Sequence, residues 1–180
     1  NASEVVCALD VLWLMEHEGI KPYTSTYTSL IDACGKAQQI DHAFALFDHM
    51  QSIGVPPNAA TFTTLITVCA KCGELDRALL VLEQMAQANA APDAITFTAL
   101  ISACARTQQS ERAFELLNQM KSYGLRPNAI TYNALIDVCC KVGDLQRAEA
   151  TVQVMRSEGH QPDAITFNML LNACCKLQLH

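Results

Sequence analysis

Along most of the chain apolar residues recur at intervals of three and four, and this whole pattern recurs every thirty-five residues. Ala94–Asn128 reads AITFTALISACARTQQSERAFELLNQMKSYGLRPN. Ala59–Asp93 and Ala129–Asp163 repeat its pattern without insertion, and Thr24–Asn58 is a further copy. Positions 1 to 35 are counted here from Thr24, Ala59, Ala94, Ala129 and Ala164. Asn1–Tyr23 then supply positions 13 to 35 of an earlier copy, and Ala164–His180 positions 1 to 17 of a later one. A fixed period of this length marks a repeat array, in which each unit buries its apolar face against its neighbours.

Each copy predicts two helices. The first covers about positions 2 to 13 and has one apolar face. Position 4 is aromatic (Tyr27, Phe62, Phe97, Tyr132, Phe167), position 7 is Leu, position 8 is Ile or Leu, and position 11 is Cys. Position 3 is always Thr and position 35 is Asn or Asp in every complete copy; both suit a helix N-cap, and the sequence does not choose between them. The second helix covers about positions 17 to 30, with Ala at 20 and Met at 27. Gly54, Gly124 and Gly159, with Asn89 in the remaining copy, suit a left-handed stop at position 31, and Pro at 34 ends the unit.

Glu4–Gly19 reads as a second helix without its partner, with Trp13 and Met15 assigned to the core. Ala164–Lys176 reads as a first helix whose apolar face is exposed unless more chain follows. Because the pattern starts and stops inside a copy, the chain is expected to be a piece of a longer protein. The expected organisation is a partial repeat at 1–23, complete repeats at 24–58, 59–93, 94–128 and 129–163, and a partial repeat at 164–180. The fold class is all-α, an αα-hairpin solenoid of eleven helices or near it.

Composition narrows the chemistry. Apolar residues make up 51% of 180, aromatics only 6%, so the core is mostly aliphatic, Ala, Met and Cys. Of nine cysteines, Cys34, Cys69, Cys104, Cys139 and Cys174 all occupy position 11. Packed helices place equivalent positions about 10 Å apart, beyond the about 7 Å that a disulfide spans. They are read as buried small hydrophobes in a reducing compartment. The Cys69-Ala-Lys-Cys72 run has no second pair to complete a zinc site. No acidic nuclease cluster, deaminase signature or phosphate loop occurs. Catalytic residues, metals and cofactors are therefore not expected, nor is a membrane span, since no run of 18 apolar residues exists. No targeting segment is visible.

The helical wheel sets positions 2, 5, 9, 12 and 13 opposite the apolar face. Position 5 is Thr28, Thr63, Thr98, Asn133 and Asn168; position 9 is Asp32, Thr67, Ser102, Asp137 and Asn172. Position 13 is Lys36, Lys71, Arg106, Lys141 and Lys176. Helix-end charge matching favours a cation in this last turn, but does not require the same position five times. A hydrogen-bonding residue and a cation, once per repeat, suit the bases and phosphates of a single-stranded nucleic acid. The position-13 cations are accordingly expected to contact phosphates. The formal net charge of −6 has the wrong sign for such a partner. Much of the acid lies on the second helices, at Asp48, Glu83, Glu111, Glu115 and Glu149, so the opposite face can still be positive. Asp32 and Asp137 weaken it.

Copies with T-[YF]-[TN]-x-L-I…C-x-[KR]…A…M…P-[ND] resemble pentatricopeptide repeat proteins along the whole chain. The resemblance implies a right-handed superhelix that binds single-stranded RNA in an organelle, chloroplast or mitochondrion, one base per repeat. It implies that positions 5 and 35 choose the base: Thr28 with Asn58 reads A, Thr63 with Asp93 reads G, Thr98 with Asn128 reads A, and Asn133 with Asp163 reads U. The address is 5′-AGAU-3′, with Asn168 lacking its partner. Ile95, Ile130 and Ile165 at position 2 match the family's residue that packs beside a base, whereas Ser25 and Ala60 depart from it. The implied role is stabilisation, processing or translation of an organellar transcript by a monomeric module, alongside other organellar RNA-processing or ribosomal proteins. The alternative is a protein-binding structural solenoid or a ribosome-associated subunit.

Overall fold

The computed structural model describes residues 10–15 and 17–178. The start of the leading helix, including Val5 and Leu9, lies outside the described residues. Residues 10–15 and His17 are helical, and nine helices follow among the described residues: α1 (Thr24–Lys36), α2 (Ile40–Ser52), α3 (Ala59–Cys72), α4 (Leu75–Gln87), α5 (Ala94–Thr107), α6 (Ser110–Ser122), α7 (Ala129–Val142), α8 (Leu145–Ser157) and α9 (Ala164–Gln178). Among the described residues there is no strand and no extra helical turn beyond these. First helices begin at position 1 and second helices run from 17 to 29, each within a residue or two of the periodicity.

The chain divides into two compact units, residues 1–92 and 93–180. In the first, α1 packs on α3, α2 lies against both, and α4 pairs with α3. In the second, α5 packs on α7 and α7 on α9, while α6 lies against α5 and α7, and α8 against α7 and α9. Within each unit the first helices thus form one layer, and the second helices another. The apolar stripe dictates this. Leu65, Leu100, Leu135 and the position-11 Cys69, Cys104 and Cys139 are fully buried, as are the second-helix Ala78, Met85, Ala113 and Met120 that cover them. Each buried Leu contributes about 1.5–3 kcal/mol relative to exposure. Burial pushes the Cys69 thiol up to about 12 and those of Cys104 and Cys139 to about 11. These side chains remain neutral and behave as apolar packing.

The hairpins end as the pattern requires: position 31 is left-handed, at φ 71° for Gly54 and 54° for Asn89, one of the few other residues that tolerates it. On the second-helix layer, Arg77 pairs with Asp41 at 2.9 Å and stacks 3.9 Å over the Phe44 ring. Arg147 repeats the device in the other unit, on Glu111 and over Phe114 at 4.3 Å.

Three expectations are corrected. Trp13 is 66% exposed. Its apolar character suggests core, but it occupies position 25, where the complete copies carry the exposed Asp48, Glu83, Asn118 and Gln153; Leu12, one residue earlier, takes the buried place. At Gly35, Ala70 and Ala105 position 12 does not face outward with 5, 9 and 13: these residues are buried, whereas Cys140 is half-buried and Cys175 exposed. A Cβ on Gly35 would lie 2.4 Å from Val68 Cγ2, so this position faces the next first helix at close approach. Cys174 is exposed, unlike the other described position-11 thiols. On the same face of α9, Phe167 is 44% and Leu171 61% exposed, as anticipated for a first helix without its partner.

Candidate nucleic-acid interface

The polar edge of the first helices is built from their N-termini. An α-helix leaves its first N–H groups without intrahelical acceptors, and position 35 supplies one. Asn58 Oδ1 accepts from the Thr61 N–H at 3.0 Å, Asp93 Oδ1 from Thr96 at 2.8 Å, Asn128 Oδ1 from Thr131 at 3.0 Å, and Asp163 Oδ1 from Thr166 at 2.9 Å. The position-3 Thr reciprocates, its Oγ1 accepting from the backbone N–H of the same capping residue at 3.3–3.4 Å. The two N-cap candidates are thus two halves of one capping box. Backbone bonds from Thr166, then its hydroxyl, hold the Asp163 carboxyl below its ordinary 3.8.

The same buried hydroxyls reach a third partner. Thr61 Oγ1 lies 3.0 Å from Asn58 Oδ1 and 3.0 Å from Thr28 Oγ1. Thr131 Oγ1 lies 3.1 Å from Asn128 Oδ1 and 2.8 Å from Thr98 Oγ1. Thr166 Oγ1 lies 3.0 Å from Asp163 Oδ1 and 2.7 Å from Asn133 Oδ1. In these three repeats positions 5 and 35 are therefore joined through the position-3 Thr of the next. Position 35 is exposed at Asn58, Asp93, Asn128 and Asp163; position 5 is half-buried at Thr28, Thr63, Thr98 and Asn133, and exposed at Asn168. With Oδ1 turned inward, Asn directs its amide NH2 outward, while Asp directs a second carboxylate oxygen outward. Sequence reasoning identified the position-3 Thr only as a possible cap; its invariance beside a hydrogen-bonding position 5 was the available signal.

Ile95, Ile130 and Ile165 stand beside this row, 64%, 68% and 63% exposed. That exposure is unusual for a large aliphatic repeated in register. The position-13 cations are all exposed but not equivalent. Lys36 pairs with Asp32 at 2.7 Å and Lys141 with Asp137 at 2.8 Å, each one turn apart on its own helix. Lys71, Arg106 and Lys176 stand four residues after Thr67, Ser102 and Asn172, which carry no charge. In the second unit a depression of about 630 Å³ brings Arg106, Lys141 and Lys176 together with Asp137, Cys140 and Asn172. Burial raises the Cys140 thiol to about 11. No group of three or more His, Cys, Asp or Glu side chains suited to a metal ion occurs among the described residues. The geometry offers periodic hydrogen-bonding pairs, apolar wedges and cations, the means of holding an extended polyanion with stacked rings.

The PPR repeat family matches residues 22–71, 60–106, 92–141 and 127–176, and the pentatricopeptide repeat domain matches residues 2–37. Among solved structures, the pentatricopeptide repeat protein PPR10 in complex with an 18-nt psaJ RNA element is 29% identical, with a TM-score of 0.77 over 89% of this chain and 24% of that one. PPR10 from maize is 33% identical, with a TM-score of 0.73 over 93% of this chain and 24% of that one. Nuclear proteinaceous RNase P 2 from A. thaliana shares the fold at 18% identity, with a TM-score of 0.79 over 96% of this chain and 39% of that one. The chain thus spans about a quarter of the length of PPR10. No curated protein matches it. With family matches running from residue 2 to residue 176 over a stack of αα-hairpins, the chain belongs to the PPR repeat family.

Proposed function

We propose that this chain is a sequence-selective, non-catalytic single-stranded RNA-binding module that reads one base per repeat. The carrying observation is the hydrogen-bonded link between positions 5 and 35 within a repeat, as in Thr98–Thr131–Asn128. A scaffold that only bound protein would have no need to tie two such polar side chains together in three repeats. The outward atoms suit the expected bases. An Asn amide N–H donates to the ring nitrogen acceptor of adenine, and an Asp carboxylate accepts from the ring N–H of guanine or uracil. The four complete repeats then address 5′-AGAU-3′. Ile95, Ile130 and Ile165 pack beside bases, and the position-13 cations meet phosphates. The 29% identity to PPR10, whose structure holds an 18-nt psaJ RNA element, supports the RNA partner. As the resemblance to the family implies, the module acts on a chloroplast or mitochondrial transcript, in its stabilisation, processing or translation.

Selection from a random single-stranded RNA pool tests the reading directly, with enrichment of AGAU as the expected outcome. Asp93→Asn should then raise binding to 5′-AAAU relative to 5′-AGAU. A preference that stays on G after the substitution overturns the base assignment. Failure to retain any RNA, with capture of an organellar protein instead, favours the scaffold reading.

A further inference from the structure

Four buried threonines, Thr61, Thr96, Thr131 and Thr166, contact the position-35 side chain, yet none can reach a bound base, since each is fully buried. The hydroxyl of Thr131 shows what such a group does. It accepts from the Asn128 backbone N–H at 3.3 Å and donates to Asn128 Oδ1 at 3.1 Å, while its own N–H reaches the same Oδ1 at 3.0 Å. Two donors therefore converge on one end of the Asn128 amide. Turning the amide by 180° would aim its NH2 at both of them, so the carboxamide has one orientation, oxygen in and nitrogen out. The hydroxyl has a single proton. With that proton on Asn128 Oδ1, the 2.8 Å bond to Thr98 takes its proton from Thr98, whose lone pairs then face outward. Asn128 offers a donor and Thr98 an acceptor. Adenine presents the complement on its pairing edge, an acceptor ring nitrogen beside an amino donor.

Resting on the base-reading proposal, we infer that Thr131 is a specificity-determining positioning residue: it touches no base, but fixes which end of Asn128 and which side of Thr98 the base meets. Thr61 orients Asn58 in the same way, its N–H and hydroxyl both reaching Asn58 Oδ1 at 3.0 Å, whereas the Thr28 hydroxyl donates to the Thr24 carbonyl at 2.9 Å. The role is unequal among repeats. An Asn carboxamide has two different ends, and without the hydroxyl one of the two donors that orient it is lost. An Asp carboxylate has two equivalent oxygens, so Asp163 presents an acceptor however it turns. Thr166 holds Asp163 as a cap through its N–H, and its hydroxyl, 2.7 Å from Asn133 Oδ1, orients the position-5 carboxamide of that repeat instead.

The test uses the 180-residue chain and two short single-stranded RNA probes that differ only at the third base of the address, AGAU and AGGU. The parent should prefer A by at least about fivefold, the low end for one wrong base. Thr131→Val removes the hydroxyl at nearly constant shape, and should bring the two affinities within about twofold of each other. Thr131→Ser should restore the preference. A purely structural role would lower affinity for both probes and leave their ratio alone. Should Thr131→Val not fold, Thr61→Val reports on the first base in the same way. A second readout needs no RNA. The Asn128 side-chain amide, followed by NMR, should gain mobility in Thr131→Val and not in Thr131→Ser. Equal A-over-G ratios in parent and Thr131→Val, or an unchanged Asn128 amide, overturn the inference. A parent chain that binds both probes equally overturns the base-reading proposal itself, a result distinct from a parent that discriminates and a variant that discriminates equally well.

Discussion

The Lys141 ammonium lies 2.8 Å from the Asp137 carboxylate one turn earlier on α7, and Lys36 stands in the same relation to Asp32 on α1. Within the pair, the Asp32 hydrogen bond and then its charge raise the Lys36 pKa. These cations are already compensated, whereas Lys71 and Arg106 follow uncharged residues. Under the proposed reading, the consequence for RNA is a graded row of phosphate contacts. Lys71→Ala and Arg106→Ala should weaken binding similarly for all sequences and lower the salt slope by up to about 1 each. Lys141→Ala should do less, and Asp137→Asn should tighten binding and steepen the slope. Titrations over a range of salt measure all four. Equal losses for Lys141→Ala and Arg106→Ala would show that the carboxylate does not compete with phosphate.

Leu100 is fully buried, while Thr98, two residues earlier, is half-buried with its hydroxyl on Thr131. Leu100→Ala should destabilise by about 2–5 kcal/mol through lost burial and the cavity left behind. Thr98→Ala should cost about 0.5–1.5 kcal/mol, the net worth of one hydrogen bond, and change base choice instead. Urea unfolding of both variants checks the contrast, and comparable losses would place position 5 in the core.

Gly35 sits inside α1, where Ala would ordinarily gain about 1 kcal/mol in helix propensity. Here an added Cβ meets Val68 Cγ2 at 2.4 Å and Val68 Cβ at 3.2 Å. Gly35→Ala should therefore destabilise, by about 1–3 kcal/mol as for overpacking. Val68→Ala in the same chain should recover part of the loss. Thermal or urea unfolding of the single and double variants reads this coupling.

The capping bonds give two helices a different response to acid. The Asp163 carboxyl is held below its ordinary 3.8 by the bonds from Thr166. A carboxyl with a lowered folded pKa adds stability that is fully present above its unfolded value and lost as pH falls through the folded one. Amide exchange at the start of α9 should therefore accelerate, beyond its chemical trend, as pH drops below about 4, near the unfolded Asp value. The start of α7, capped by the uncharged Asn128, should follow the chemical trend alone. Hydrogen-exchange mass spectrometry over this range compares the two.

The layered architecture was legible because it depends on a period, and a period is averaged over several copies. Tyr27, Leu65, Ile101 and Met120 take their buried places as the stripe requires. Trp13 misled because its own hydrophobicity outweighed its register; position 25 is polar in every complete copy. Position 12 misled for another reason. A wheel drawn on one helix places Ala70 and Ala105 away from the core, but it does not contain the neighbouring first helix, against which Gly35 closes on Val68. The polar edge was half legible. Residue types at positions 5, 13 and 35 were visible in the chain. The joining of Thr28 to Asn58 through Thr61 was not, because it runs between helices some thirty residues apart.

One consequence of the capping box concerns how such a protein can change. Position 35 answers to two demands, holding a helix end and, under the reading proposed above, selecting a base. Asn and Asp cap helices about equally well. Exchange between them at Asn58, Asp93, Asn128 or Asp163 therefore leaves folding nearly untouched while altering what is recognised. A mutational drift along that axis is close to neutral for the scaffold, so target sequence can diversify without waiting for compensating changes in the core. Most other residues at the same place would loosen the helix first. The alphabet available for retargeting is thereby narrowed by helix chemistry before any nucleic acid is encountered.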